Sequence, residues 1–181
     1  LAALLLAMAA WGLLRPAFAN GGESERLVKA AYLYHFCALV NWPPGSFPGP
    51  DAPLRVGVLG DDELADELHK IVSSRPRAGR QIEVIKLRRA RERQDIQLLF
   101  LADSQRSTLP TVLTPLKGQP VLVVTESENA LERGSMINFV PVHGSLRFEV
   151  SQQTLTESRL EISSRLLSVA WNFSPASPKF R

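Results

Sequence analysis

Hydrophobic and polar positions change period several times along the chain, and each change predicts an element. Residues 23–41 have Glu23 and Glu25 near their start and Pro43-Pro44 just beyond their end, the charge and breaker pattern of a helix. Leu27, Val28, Ala30, Ala31, Tyr32, Leu33, Tyr34, Phe36, Leu39 and Val40 surround the axis of that helix instead of forming one stripe. Such a distribution predicts burial on most sides or packing in a subunit interface. Residues 42–50 are too rich in proline and glycine for a regular element and read as a loop pinned by Trp42 and Phe47.

Short apolar, β-branched runs then alternate with helical stretches: strand 54–59, helix 62–73, strands 81–87 and 96–101, helix 104–116 and strand 120–125. Alternation of this kind predicts an α/β sheet that is at least partly parallel. Gly60-Asp61-Asp62 supplies a tight turn and a helix N-cap, and Asp103-Ser104 is expected to do the same after the third strand. Residues 136–140 and 146–150 flank Pro141-Val142-His143-Gly144-Ser145 and predict a hairpin. In its second strand Leu146, Phe148 and Val150 alternate with Arg147 and Glu149, so one face is buried. Two short helices, 151–157 and 162–171, close the pattern, followed by a loose tail over 174–181. The fold class is therefore α/β, a single domain with a mixed central sheet of about six strands flanked by helices, and a C-terminal β-hairpin followed by short helices.

The segment before this domain has a different character. Residues 1–14 carry no charge, and Ala17-Phe18-Ala19 presents small residues at the spacing of a signal-peptidase site, so residues 1–19 read as a signal peptide and residues 20–173 as the exported domain. A membrane anchor is the rival reading, but the apolar run is shorter than the roughly 20 residues that span a bilayer, and Arg15-Pro16 interrupts it. Periplasmic export follows as the expected location. The one cysteine, Cys37, excludes an intramolecular disulfide; within its apolar run it reads as a small buried hydrophobe, with an intermolecular bridge as the alternative.

Composition narrows the function classes. The 181 residues, 45% hydrophobic, hold 21 basic and 18 acidic side chains, a formal charge of +3 that matters only where it clusters. It does so at Arg75, Arg77, Arg80, Lys86, Arg88, Arg89, Arg91 and Arg93, opposed only by Glu83 and Glu92. Guanidinium groups suit carboxylates and phosphates, so Arg88, Arg89, Arg91 and Arg93 are the candidate face for an anionic partner; a solvated charged edge that discourages aggregation is the plainer alternative. Interleaved aromatic residues that would stack bases are missing from this stretch, and nucleic acid is not an expected partner.

Enzymatic chemistry has little support. Val56-Gly57-Val58-Leu59-Gly60-Asp61-Asp62 resembles a phosphate-binding turn only superficially, since its two carboxylates stand where phosphate oxygens would sit. His35, His69 and His143 lie in separate elements without metal-ligand spacing, and His35 is expected in the buried helix. No nucleophile-elbow motif is present, so no catalytic residue, metal or cofactor is assigned. A small solute could still bind beyond the carboxyl ends of parallel strands, where Asp61, Asp62, Asp103, Ser104, Glu126 and Ser127 are the candidate contacts.

Four segments taken together resemble the YfiR family of periplasmic proteins. They are Lys29-Ala30-Ala31-Tyr32-Leu33-Tyr34-His35-Phe36 with Val40-Asn41-Trp42-Pro43; Val56-Gly57-Val58-Leu59-Gly60-Asp61-Asp62; Gly134-Ser135-Met136-Ile137-Asn138-Phe139-Val140; and Leu160-Glu161-Ile162-Ser163-Ser164-Arg165-Leu166-Leu167-Ser168-Val169-Ala170. The resemblance extends from about Arg26 to Trp171. It implies a non-enzymatic regulator, often dimeric, that represses an inner-membrane diguanylate cyclase by binding its periplasmic sensor region. It further implies lowered cyclic di-GMP and restrained biofilm formation, with relief by an outer-membrane lipoprotein that sequesters the repressor. Relatives commonly have more cysteines, one of them just before the third strand where this chain has Asp95-Ile96-Gln97, so redox sensing through intramolecular disulfides does not transfer. Ser163, Ser164 and Asn138 lie within the shared segments and are expected in structural roles: helix N-terminal hydrogen bonds for the serines and a strand-end contact for the asparagine.

Overall fold

Leu98, Leu99, Phe100 and Leu101 are all essentially inaccessible to solvent, because they form an interior strand of a sheet covered on both faces. In the computed structural model, which describes residues 21–74, 80–92 and 95–174, that sheet has seven strands. The strands are β2 (Leu54–Leu59), β3 (Ile82–Leu87), β4 (Leu98–Leu101), β5 (Leu122–Thr125), β6 (Ile137–Val142), β7 (Ser145–Ser151) and β9 (Asn172–Ser174). A separate two-stranded pair joins β1 (Val40–Asn41) to β8 (Glu161–Ile162). The main sheet runs β3-β2-β4-β5-β6-β7-β9. From β3 to β6 the neighbours are parallel, β7 is antiparallel to β6, and β9 is parallel to β7. The mixed α/β single domain matches the expected class, with one strand more than expected at the β7 edge.

Period-two alternation sorts the side chains between two cores. Val56, Val58, Leu98, Phe100, Leu122 and Val124 pack beneath α1 (Gly21–Leu39) and α2 (Asp62–Ser74). Leu99, Leu101 and Val123 face the other way, against Leu109, Val112 and Leu113 of α3 (Leu109–Leu113). The larger core centres on aromatic rings: Phe36 packs edge-on to Phe148 at 5.4 Å and stacks with Phe139 at 6.0 Å, while Tyr32 meets Phe148 at 5.3 Å. Cys37 is buried in the same core, as its apolar neighbours imply.

Several expected elements change form. The helix over 104–116 is instead a 3-10 segment at Asp103–Thr108, the single α-helical turn of α3, and a second 3-10 segment at Thr114–Leu116. Pro110 and Pro115 explain the breaks, because each removes an amide donor and clashes with the preceding turn. The hairpin loop is two residues, not five: His143 (φ 48°) and Gly144 (φ 75°) form a left-handed pair that matches strand twist, and Pro141 stays within β6 opposite Leu146. Since β6 pairs with β5 only at Ile137 and Asn138, a proline further along that strand disrupts no second ladder. After α4 (Gln152–Glu157), the helix expected over 162–171 shrinks to α5 (Ser164–Leu167), with β8 before it and β9 after it. Ser163 stands at the N-cap of α5 but its side chain makes no capping bond, contrary to expectation. His35 is exposed, not buried, and Leu27 and Val28 are 50% and 39% exposed, so α1 keeps one open face.

The loop after α1 is pinned as expected. Trp42 meets Phe47 edge-on at 6.3 Å and donates from Nε1 to the Gln97 carbonyl at 3.2 Å. Arg80 lies over the Phe47 ring, 3.9 Å from its centroid, and donates to the Gly49 and Ala52 carbonyls. One member of the basic stretch is therefore occupied in holding the loop. The segment read as a signal peptide and residues 175–181 of the tail lie outside the described residues.

Candidate functional site

Parallel strands bring their carboxyl ends to one edge of the sheet, and the candidate contact residues gather there. Gly60 follows β2 with φ +93°, and a side chain on it would meet Ser104 Oγ at 2.6 Å, so the turn is close-packed. Asp61 then accepts from the Leu64 amide at 2.9 Å, capping α2, while Asp62 is exposed in its first turn. The phosphate-like motif is thus a capped turn. Its other glycine, Gly57, sits where a Cβ would lie 2.6 Å from Ile96 Cδ1 and 2.8 Å from Leu87 Cδ1, so packing accounts for it.

After β4, Asp103 and Ser104 do not cap a helix with their side chains, because the following segment begins as a 3-10 turn with Ala102 at its N-cap. Ser104 Oγ instead donates to the Gly60 carbonyl at 3.1 Å, joining the first and second loops of the edge. Asp103 pairs with Arg106 at 3.1 Å, and its amide donates to Glu126 Oε1 at 3.0 Å, joining the second loop to the third. Ser127 is 1% exposed, and its hydroxyl has no hydrogen-bond partner among the described residues.

Helix α1 crosses above this edge and ties itself down with two cations spaced three residues apart, which places them on one helix face. Arg26 reaches Glu63 at 2.5 Å and Asp61 at 3.8 Å. Lys29 Nζ lies 2.5 Å from Glu126 Oε2 and 2.6 Å from Glu25 Oε1. Burial pulls the Lys29 ammonium down, but its hydrogen bonds to Glu126 and Glu25 outweigh that and hold it above the ordinary lysine value. Neither cation was readable as part of the site, since no local pattern reveals which loop a helix will cross. Below them is a buried polar network that the sequence also concealed. Thr125 donates to Asn138 Oδ1 at 2.7 Å, Ser135 donates to the Ile137 carbonyl at 2.9 Å, and Asn138 donates to Glu149 at 3.0 Å. Asn138 makes its contact at the carboxyl end of β5, joining Thr125 to Glu149 within a network that centres on Thr125.

The loops, α1 and the β6–β7 hairpin leave an open cleft of about 640 Å³, whose lining includes Lys29, Asp103, Arg106, Glu126 and Ser127. Asp61, Asp62 and Ser104 stand outside it, engaged with α1, exposed in α2, or bonded to Gly60. The arginine face lies at the far end of the same edge, on the turn after β3. Lys86 is paired with Asp66 at 2.6 Å, whereas Arg88, Arg89 and Arg91 are exposed and form no ion pair with a described carboxylate. Glu92 holds their turn by accepting from the Arg88 and Arg89 amides at 3.0 and 3.3 Å. Arg93 lies outside the described residues.

A mixed seven-stranded sheet flanked by helices, with charged loops at its carboxyl edge, defines a single-domain α/β fold; among the described residues there is no cluster of metal-ligating side chains. The chain belongs to the YfiR/HmsC-like family, whose pattern matches residues 26–171, from within α1 to the residue before β9. The family comprises periplasmic regulators of diguanylate cyclase signalling. No curated protein matches the chain. A conserved domain protein from Vibrio cholerae has a similar fold, with a TM-score of 0.57 at 8% identity over 82% of this chain and 60% of that one. Another similar structure is an ABC domain from Streptococcus pneumonia in complex with L-Trp, with a TM-score of 0.50 at 11% identity over 67% of this chain and 56% of that one. This chain therefore spans less than two thirds of either protein, and at such identities the likeness concerns the fold alone. Among the described residues no helix is long and apolar enough to cross a membrane.

Proposed function

We propose that this protein is a periplasmic repressor that binds the periplasmic sensor region of an inner-membrane diguanylate cyclase and lowers its cyclic di-GMP output. The observation that supports it most is the family match over residues 26–171, which takes in six of the seven strands of the main sheet and most of the helix above its carboxyl edge. Repression needs no chemistry in the repressor: preferential binding to one conformation of the sensor shifts the cyclase equilibrium by the difference in affinity. The exposed guanidinium groups of Arg88, Arg89 and Arg91 are suited to an anionic patch on such a partner. Release by an outer-membrane lipoprotein and assembly as a homodimer belong to the same reading.

The test is cellular cyclic di-GMP in a strain deleted for the gene, complemented with the whole chain or with a form lacking residues 1–19. A rise on deletion that only the whole chain reverses is the expected result. Unchanged nucleotide levels while the protein is expressed would overturn the repressor reading. A small-molecule sensor is the second reading, favoured by the cleft that Asp103, Glu126 and Ser127 share with Lys29. It expects a ligand retained in native mass spectra or a thermal shift across a metabolite panel; neither being found would count against it.

A further inference from the structure

The cleft at the carboxyl edge does not end at the loops. A second open cavity, about 520 Å³ in volume, adjoins it and shares Glu25, Pro141 and Leu146, so the two form one groove between α1 and the β6–β7 hairpin. Val28, Pro141 and Leu146 give this groove an apolar wall, and Val28 is 39% exposed. Its other side carries Glu25, Asp103, Glu126 and Glu128 against two cations, Lys29 and Arg106. Both cations are already engaged, Lys29 with Glu25 and Glu126, and Arg106 with Asp103. The groove is therefore acidic on a chain whose formal charge is +3. Glu128 is exposed and in no ion pair with a described residue, and the buried Ser127 hydroxyl, without a partner among them, lies in the lining.

We propose that this groove docks a short segment of a partner protein that presents basic side chains beside apolar ones. An elongated, open trough suits an extended chain better than an enclosed solute does. The apolar wall takes the apolar residues, and Glu128 and Glu25 face the basic ones. The basic turn of a second copy fits less well. This exposed turn, Arg88-Arg89-Ala90-Arg91-Glu92, has the charge but no large apolar side chain for the Val28 wall. This inference rests on the reading that the protein acts by binding another protein, and adds a second face to the arginine turn.

The experiment measures fluorescence anisotropy of a short labelled peptide of alternating leucine and lysine, titrated with the full chain, beside a leucine–glutamate counterpart. Val28→Asp and Glu128→Lys are surface changes, and thermal unfolding verifies that they fold. Expected are binding of the lysine peptide alone and weakening of about tenfold or more by each substitution. Equal binding by wild type and both variants, no binding of the lysine peptide, or equal binding of the glutamate peptide would overturn the groove. So would concentration-dependent self-association that Val28→Asp and Arg88→Glu each abolish, which would assign the groove to a second copy. Cyclic di-GMP separates the two levels. Variants that repress as wild type does would remove the groove and keep the repressor reading, whereas a wild type that binds peptide without affecting the nucleotide would do the reverse.

Discussion

Lys29 is the residue on which the carboxyl edge depends most, because it is 14% exposed between two carboxylates of which Glu126 is 15% exposed. Replacing it with methionine leaves Glu126 with one oxygen unsatisfied and little access to water. Lys29→Met is expected to lower stability by about 2 kcal/mol, read from urea unfolding at neutral pH. The ammonium is held above its ordinary value of 10.5, so its contribution is complete below that pH and fades as pH rises through the folded-state value. The stability gap between wild type and Lys29→Met should accordingly stay constant from neutral pH up to about pH 10.5 and narrow above it. A gap that closed between pH 5 and 8 would show that some other group is responsible. A second residue-scale test concerns Thr125, fully buried and bonded to Asn138. Thr125→Val is expected to cost about 1–3 kcal/mol by leaving the Asn138 carbonyl unpaired, with little change in the cyclic di-GMP assay if the sheet edge keeps its shape.

At the scale of elements, α1 contributes the aromatic centre of the core on one side and an exposed face on the other. Apolar residues all round its axis predict burial on most sides or packing in a subunit interface; the structure buries Ala30, Leu33, Phe36 and Cys37 and leaves Leu27 and Val28 open. Periodicity records which residues are apolar but not which neighbours exist to cover them. Phe36→Ala removes a ring packed among Tyr32, Phe139 and Phe148 and is expected to cost about 3–5 kcal/mol in chemical denaturation, one of the larger single losses available to this fold. The strands of the parallel region were legible because two-sided burial gives unbroken apolar runs. The break of α3 is written in Pro110 and Pro115, which the spacing of apolar positions alone does not register. β1, β8 and β9 were not legible, since two or three residues hold no period and each exists through a partner: Val40 opposite Ile162, and Phe173 opposite Val150.

Over the whole molecule, charge is distributed along one edge, with Arg88, Arg89 and Arg91 at the β3 end and the acidic groove nearer β6. Such an arrangement orients a partner of complementary charge before contact. Combined reversal of Arg88, Arg89 and Arg91 to glutamate should leave stability within about 0.5 kcal/mol, because these side chains are exposed and in no ion pair with a described carboxylate. It should slow association with the partner and flatten its salt dependence, measurable by surface-immobilised binding across ionic strengths; unchanged kinetics would remove the arginine turn from the interface. What the sequence by itself determined is what local chemistry dictates: the α/β class, the parallel strands, the capped turn at Asp61, the pinned loop at Trp42 and the family. Strand order, the crossing of Arg26 and Lys29 over the loops, the Thr125–Ser135–Asn138 network and the groove beside the hairpin were decided only by tertiary structure. These join residues as far apart as Lys29 and Glu126, and a spacing of that length has no period from which to read it.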